Sequence, residues 1–109
     1  MGQAALIIMY PKPRDMDAFE NRYHNEHIPM AAPIFQAAGA TMAILAKGVS
    51  SPSGDPAFHR MAQIHFPSMS ALEACAASKD GQAALAHAHE ISSGGPPLIT
   101  IAEIDRVDF

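Results

Sequence analysis

The sequence predicts an α+β fold: an antiparallel four-stranded sheet in the strand, helix, strand, strand, helix, strand order of the ferredoxin-like split βαβ arrangement. Three observations carry this. Four strand-like runs lie at residues 4–9, 41–48, 57–66 and 98–107. The first and second pairs each enclose a segment with helical spacing and a capping residue at its start. Loops rich in Pro, Gly, Ser and Asp separate the elements, and the one at 49–56 joins the middle strands as a hairpin.

Taken in order, residues 4–9 are continuously apolar and end at Tyr10-Pro11, which reads as a strand buried on both faces. Lys12-Pro13-Arg14 is a turn, Asp15 is placed to cap the next helix, and Asp17 with Glu20 repeats the capping-box spacing. That helix is expected to stop near His27, because the residue before Pro29 is pushed out of the helical region. Residues 30–38 add a short helical turn before Gly39. After the hairpin, Ser70 and Glu73 form another capping box, and residues 68–78 read as helix. Asp80-Gly81 breaks it, and an alanine-rich piece continues over 82–91. A loop at 92–97 leads to the last strand.

At 109 residues the chain is one domain, residues 1–109. Its 49% hydrophobic and 17% charged composition is that of a soluble globular protein. The net charge of -4, with seven scattered Lys and Arg and no two adjacent, argues against a nucleic-acid partner. No apolar stretch approaches the roughly 20 residues of a membrane span, and no signal-peptide pattern opens the chain. Cys75 is the single cysteine, so no intrachain disulfide forms and a reducing cytoplasm suits the chain.

Helices in this topology cover one face of the sheet. Residues 4–9, 42–46 and 98–101 are nonetheless apolar at both parities. The uncovered face would present more apolar area than a soluble monomer tolerates. A homodimer packed through its sheet faces, as a barrel, is the expected solution.

The stretch from Tyr10 to Met30 carries the chemistry. Phe19, Tyr23 and His27 recur at every fourth position and fall on one side of a helix. Two readings of His27 stand side by side. In one it is a helix-terminal imidazole favoured by the last carbonyls and the dipole. In the other it is a general acid or base, since imidazole titrates near neutral pH. Tyr23 and Tyr10 are either core residues or ligand contacts. Alternation in the third strand puts Met61, Gln63 and His65 on one face and Ala62, Ile64 and Phe66 on the other. Gln63 reads as structural, and His65 is a further candidate ligand contact. The six histidines match no metal-ligand spacing: there is no HExxH and no cysteine pair. One histidine is no haem signature, and no nucleotide-binding loop is present, so no metal or cofactor is expected. Cys75 reads as a small core residue.

Tyr10-Pro11, then Asp15, Phe19, Tyr23 and His27-Ile28-Pro29-Met30, resembles the opening of the EthD family, named after a protein linked to ethyl tert-butyl ether degradation. Ala62-Gln63-Ile64-His65-Phe66 with Ser68-Met69-Ser70-Ala71-Leu72, and Ile99-Thr100-Ile101-Ala102-Glu103-Ile104, resemble its third strand with second helix and its last strand. The resemblance implies a dimeric α+β barrel. Similar folds serve cofactor-free monooxygenases, muconolactone isomerases, decarboxylases and haem peroxidases. In related isomerases and decarboxylases the histidine matching His27 sits between helices and sheet and is implicated in proton transfer. This chain departs from many relatives at Ser92-Ser93-Gly94-Gly95-Pro96-Pro97, a loop with no aromatic wall to offer.

The sequence thus leads to a small catabolic protein of the EthD type, with no cofactor, that binds a small apolar or aromatic molecule. It moves a proton through His27, assisted by Tyr10, Tyr23 and His65, in isomerase, decarboxylase or oxidoreductase-type chemistry. The alternative is a non-catalytic ligand-binding or accessory dimer supporting an oxygenase pathway.

Overall fold

The computed structural model describes residues 3–109. Four strands, β1 (Ala4–Tyr10), β2 (Met42–Lys47), β3 (Arg60–Phe66) and β4 (Leu98–Glu103), form one antiparallel sheet in the order β2-β3-β1-β4. This is the split βαβ topology the sequence predicts. The helices are α1 (Met16–Arg22), a π-helical turn (Tyr23–His27), α2 (Ile28–Ala37), α3 (Met69–Ala77) and α4 (Lys79–Ile91).

Register decides which side chains meet the helices. Leu6 pairs with Ile64, Ile8 with Ala62, and Ala43 with Ile64. These residues share a face with Ala4, Tyr10 and Phe66, and that face packs on Phe19, Tyr23, Ala31, Phe35, Leu72, Ala84 and Ala88. The opposite face carries Met42 and Ile44 from β2, Met61, Gln63 and His65 from β3, Ile7 and Met9 from β1, and Leu98 and Thr100 from β4. No helix covers it among the described residues. Met42, Ile44 and Leu98 remain 54%, 45% and 68% exposed.

The first helix does not stop at His27. Met16 to Ala37 runs on, and the π turn is how it passes Pro29. Proline has no N–H to donate, and its ring crowds the carbonyl four residues back in a regular α-helix. The chain responds with a wider turn in which the Ile28 N–H reaches the Tyr23 carbonyl, five residues back. Pro29 then sits in the first turn of α2, where a missing N–H costs little. Asp15 caps α1 as expected, accepting from the Ala18 N–H at 3.0 Å.

Four other boundaries move. Ser68, not Ser70, caps α3, through its hydroxyl and the Ala71 N–H at 3.1 Å. The break between α3 and α4 comes at Ser78, ahead of Asp80-Gly81. The Ser78 hydroxyl donates to the Cys75 carbonyl at 2.6 Å and accepts from the Gly81 N–H at 3.0 Å, so one side chain ends one helix and starts the next. Gly81 lies inside α4 because of this corner: a Cβ there would stand 1.9 Å from the Cys75 carbonyl oxygen. β3 starts at Arg60 and not at 57, since its β1 partner ends at Tyr10, just before Pro11. β4 ends at Glu103 and not at 107, because Ala4 is the last residue of β1 it can pair.

Candidate functional site

The π turn, β1 and α4 converge on His27. Because a π turn is wider than 3.6 residues per turn, four residues on from Tyr23 returns nearly to the same side, and the rings line up. Phe19 and Tyr23 lie 5.5 Å apart and 17° from parallel, and Tyr23 and His27 lie 6.0 Å apart and 15° from parallel. The edge of Tyr10, from the sheet, meets all three.

His27 is 6% exposed and has a neighbour at each ring nitrogen. Nε2 lies 3.4 Å from the Tyr10 hydroxyl, a long hydrogen bond that leaves this nitrogen weakly engaged. Nδ1 lies 2.9 Å from Nδ1 of His87 on α4. The two imidazole planes are 3° apart with centroids at 5.1 Å. Face-to-face rings cannot bring two nitrogens so much closer than their centroids, so the rings lie edge to edge in one plane, and the contact is an N–H···N hydrogen bond. Burial first, and then the neighbouring His87, pull the His27 imidazole down from its usual 6.5 to about 4. At neutral pH it is an uncharged ring. Burial, and secondarily Tyr23, push the Tyr10 phenol up, which keeps its proton in place.

His27 and Tyr23 form one wall of a cavity of about 80 Å³ whose remaining walls are apolar, among them Ile8, Phe35, Leu45 and Ile64. It adjoins an open groove of about 240 Å³ between α2 and β2, with Ala32, Phe35, Ala43 and Ile64 common to both. The Tyr23 hydroxyl is fully buried and has no hydrogen-bond partner among the described residues. A buried polar group left unpaired costs about 1–3 kcal/mol. Burial also raises its phenol, against the pull of Arg60.

A second polar cluster braces Tyr23 from the other side. Glu20 accepts from Arg60 Nε at 3.1 Å and from His59 Nε2 at 3.0 Å. The Arg60 guanidinium lies 5.2 Å over the Tyr23 ring and also donates to His24 Nε2 at 3.1 Å. The Arg60 hydrogen bond, more than any other influence, holds the Glu20 carboxyl down at about 2. A lowered carboxyl contributes stability above its unfolded value of 4.5, and that contribution drains away as pH falls from there towards 2. Glu20→Gln is therefore expected to destabilise the protein by about 1–2 kcal/mol at pH 7, after allowance for partial solvent access. Urea titrations at pH 7 and pH 3 check this: the gap between variant and wild type should narrow at the lower pH.

Of the residues singled out from sequence, the fold brings together Tyr10, Tyr23 and His27. His65 is not with them. It points to the uncovered face of the sheet, where its Nε2 lies 3.2 Å from the Gln63 side-chain oxygen. The alternation of β3 carries Ile64, and not His65, to the cavity. Sequence reasoning missed His87, Glu90 and the Glu20–His59–Arg60 cluster. Among the described residues no three His, Cys, Asp or Glu side chains converge as a metal site requires.

Residues 12–91 match the family model of the EthD domain. The chain belongs to the EthD family. An uncharacterised 11.0 kDa protein encoded in the thcB-thcC intergenic region of Rhodococcus erythropolis is 28% identical over 94 residues, 86% of this chain and 88% of that protein. The crystal structure of an EthD family protein from Bacillus halodurans superposes with a TM-score of 0.83 at 25% identity, over 94% of this chain and 99% of the other. A dimeric ferredoxin-like protein of unknown function from Jannaschia sp. CCS1 has the same fold, with a TM-score of 0.71 at 16% identity, over 94% and 100% of the two chains. No helix among the described residues of this EthD protein is long and apolar enough to cross a membrane.

Proposed function

We propose that this EthD protein binds a small neutral molecule, apolar or aromatic and bearing one hydroxyl or carbonyl group, and moves a proton on it through His27. The observation that supports this most is the pairing, in one apolar cavity, of a neutral imidazole with an unpartnered buried phenol. An apolar pocket with a few convergent polar groups is the usual form of a small-molecule site. A ligand oxygen that reached the Tyr23 hydroxyl would satisfy it, and a ligand that displaced the long Tyr10 contact would exchange a proton with Nε2 of His27. Arg60 is spent on Glu20, and among the described residues the cavity lining holds no cation, which favours neutral ligands over carboxylates. Tyr10 holds that same nitrogen in the resting protein, through the long contact a ligand would displace. Catabolic chemistry in a reducing, cytoplasmic setting fits the free buried thiol of Cys75.

The low basicity of His27 favours a second reading, a protein that binds such a ligand without turning it over and serves a degradative oxygenase. In either case the working unit is a homodimer. The uncovered sheet face supports that assembly, and the Jannaschia relative of the same fold is described as dimeric.

A thermal-shift panel of phenols, small lactones and quinones tests the ligand class. A molecule that binds only the folded form at a hundred times its Kd stabilises by about 2.7 kcal/mol. At least one compound should raise the melting temperature of wild type and not of His27→Gln. Equal shifts in both proteins would remove His27 from the site, and turnover of the hit separates the enzyme from the binder.

A further inference from the structure

We propose that His27 and His87 form a two-imidazole proton relay whose direction is set by Glu90, with the inner ring meeting the ligand and the outer ring taking the charge. This inference rests on the reading of the His27 cavity given above.

The hydrogen bond between the two Nδ1 atoms holds one proton, which belongs to one ring or the other. The groups around His87 decide which. Its far nitrogen, Nε2, lies 3.9 Å from Glu90 Oε2 on its own helix. Arg22 of α1 donates to that same oxygen at 2.7 Å and to Glu26 at 3.0 Å, and its guanidinium holds the Glu90 carboxyl below its usual value. At 3.9 Å the contact is no hydrogen bond, and it is the negative charge of the carboxylate that favours the His87 tautomer with its hydrogen on Nε2. A neutral imidazole carries one N–H, so His87 Nδ1 is an acceptor. His27 then donates from Nδ1, and its Nε2 keeps an unprotonated lone pair whose one partner in the resting protein is the Tyr10 hydroxyl at 3.4 Å. The buried ring is thereby fixed in the tautomer a base requires.

The same chain explains how a histidine in an apolar cavity accepts a proton without holding a buried charge. Once the ligand displaces the long Tyr10 contact, His27 Nε2 takes a proton from an acidic O–H or C–H of the ligand, whose electron pair stays behind as the enolate or phenolate. The His27 Nδ1–H bond breaks as that proton passes to His87 Nδ1. His27 ends neutral with its hydrogen on Nε2, and His87 ends as the imidazolium, nearer solvent and beside Glu90. Reversal returns the proton to the ligand and restores the starting tautomers. His87 touches no ligand in this scheme and is a positioning and relay residue.

Nitrogen-15 NMR of the histidine rings in the full chain, at neutral pH and without ligand, reads the tautomers directly. The expected pattern is Nδ1–H on His27 and Nε2–H on His87, with Glu90→Gln raising the Nε2–H fraction of His27 several-fold. Nε2–H on His27 in the wild type, or tautomers indifferent to Glu90→Gln, would overturn the proposal. The relay step is read with 4-nitrophenol, whose absorbance reports its phenolate. Asn at position 87 keeps an acceptor near the place of Nδ1 but cannot carry the proton. His87→Asn should bind the probe with at most a few-fold loss and lose the phenolate shift seen in wild type; an unchanged shift would eliminate the relay. If 4-nitrophenol binds neither protein, the cavity reading fails for phenols, while the tautomer pattern still decides the relay.

Discussion

Between pH 6.5 and pH 4 this protein is expected to lose about 2–3 kcal/mol of stability, and His27→Gln is expected to lose far less over the same range. In the unfolded chain the His27 imidazole takes up a proton near 6.5; in the folded protein, burial and His87 delay that to about 4. Across the interval the unfolded state binds more protons, so acid pulls the equilibrium towards it. The contribution is fully present above 6.5 and is drained by the time the pH reaches 4. Each tenfold change in proton affinity is worth about 1.4 kcal/mol, which sets the magnitude. The Glu20 carboxylate acts in a different window, below 4.5. The two effects are therefore separable in one experiment: urea midpoints at a fixed protein concentration, measured at half-unit intervals from pH 7.5 to 2.5. Wild type should show two descending segments, His27→Gln the lower one, and Glu20→Gln the upper one. A wild-type curve flat from 6.5 to 4 would mean that His27 is solvated, and the argument for an apolar cavity around it would fail.

How far the sequence leads to this site follows the range of the interactions concerned. Phe19, Tyr23 and His27 are legible together because i+4 spacing is a local property that survives even a π turn. The π turn itself is not legible. Pro29 signals a boundary, and the preference of the residue before it argues for a stop; continuation is decided by the burial of Ala31 and Phe35 beyond it, a tertiary gain. The alternation of β3 correctly separates His65 from Ile64, but alternation says nothing of which face the helices will cover, and His65 proves to lie on the bare one. His87 stands 60 residues from His27. Nothing local distinguishes it from His89, two positions on, which the helix turns elsewhere. Glu20, His59 and Arg60 meet only because β3 antiparallel to β1 brings Arg60 level with Tyr10, over α1. The split βαβ order, by contrast, rests on apolar runs and turn residues, and these are local.

Ile44→Glu is expected to turn a dimer into a soluble monomer with its fold intact. The uncovered face of the sheet has no charged side chain on any of its four strands. Its polar members are Gln63, His65 and Thr100, and Gln63 and His65 answer one another. A face of that composition is unusual at a monomer surface, and the sheets of two copies would bury it as the inner layer of a sandwich about 10 Å thick. Ile44 stands on β2 between Met42 and Ala46, opposite Gln63, and is already half exposed. In one copy alone a glutamate there meets water and costs little. In a dimer it becomes a carboxylate facing apolar side chains, at a penalty of several kcal/mol, and two-fold symmetry imposes it twice. A weakening of at least about a thousandfold follows, since each 1.4 kcal/mol is a factor of ten. Sedimentation equilibrium at micromolar concentration should give twice the chain mass for wild type and the single mass for Ile44→Glu, with far-ultraviolet circular dichroism unchanged. Lys79→Glu, on the helical side, should remain dimeric and controls for charge alone. A monomeric wild type would leave Met42, Ile44 and Leu98 in water and would break the link between this face and assembly.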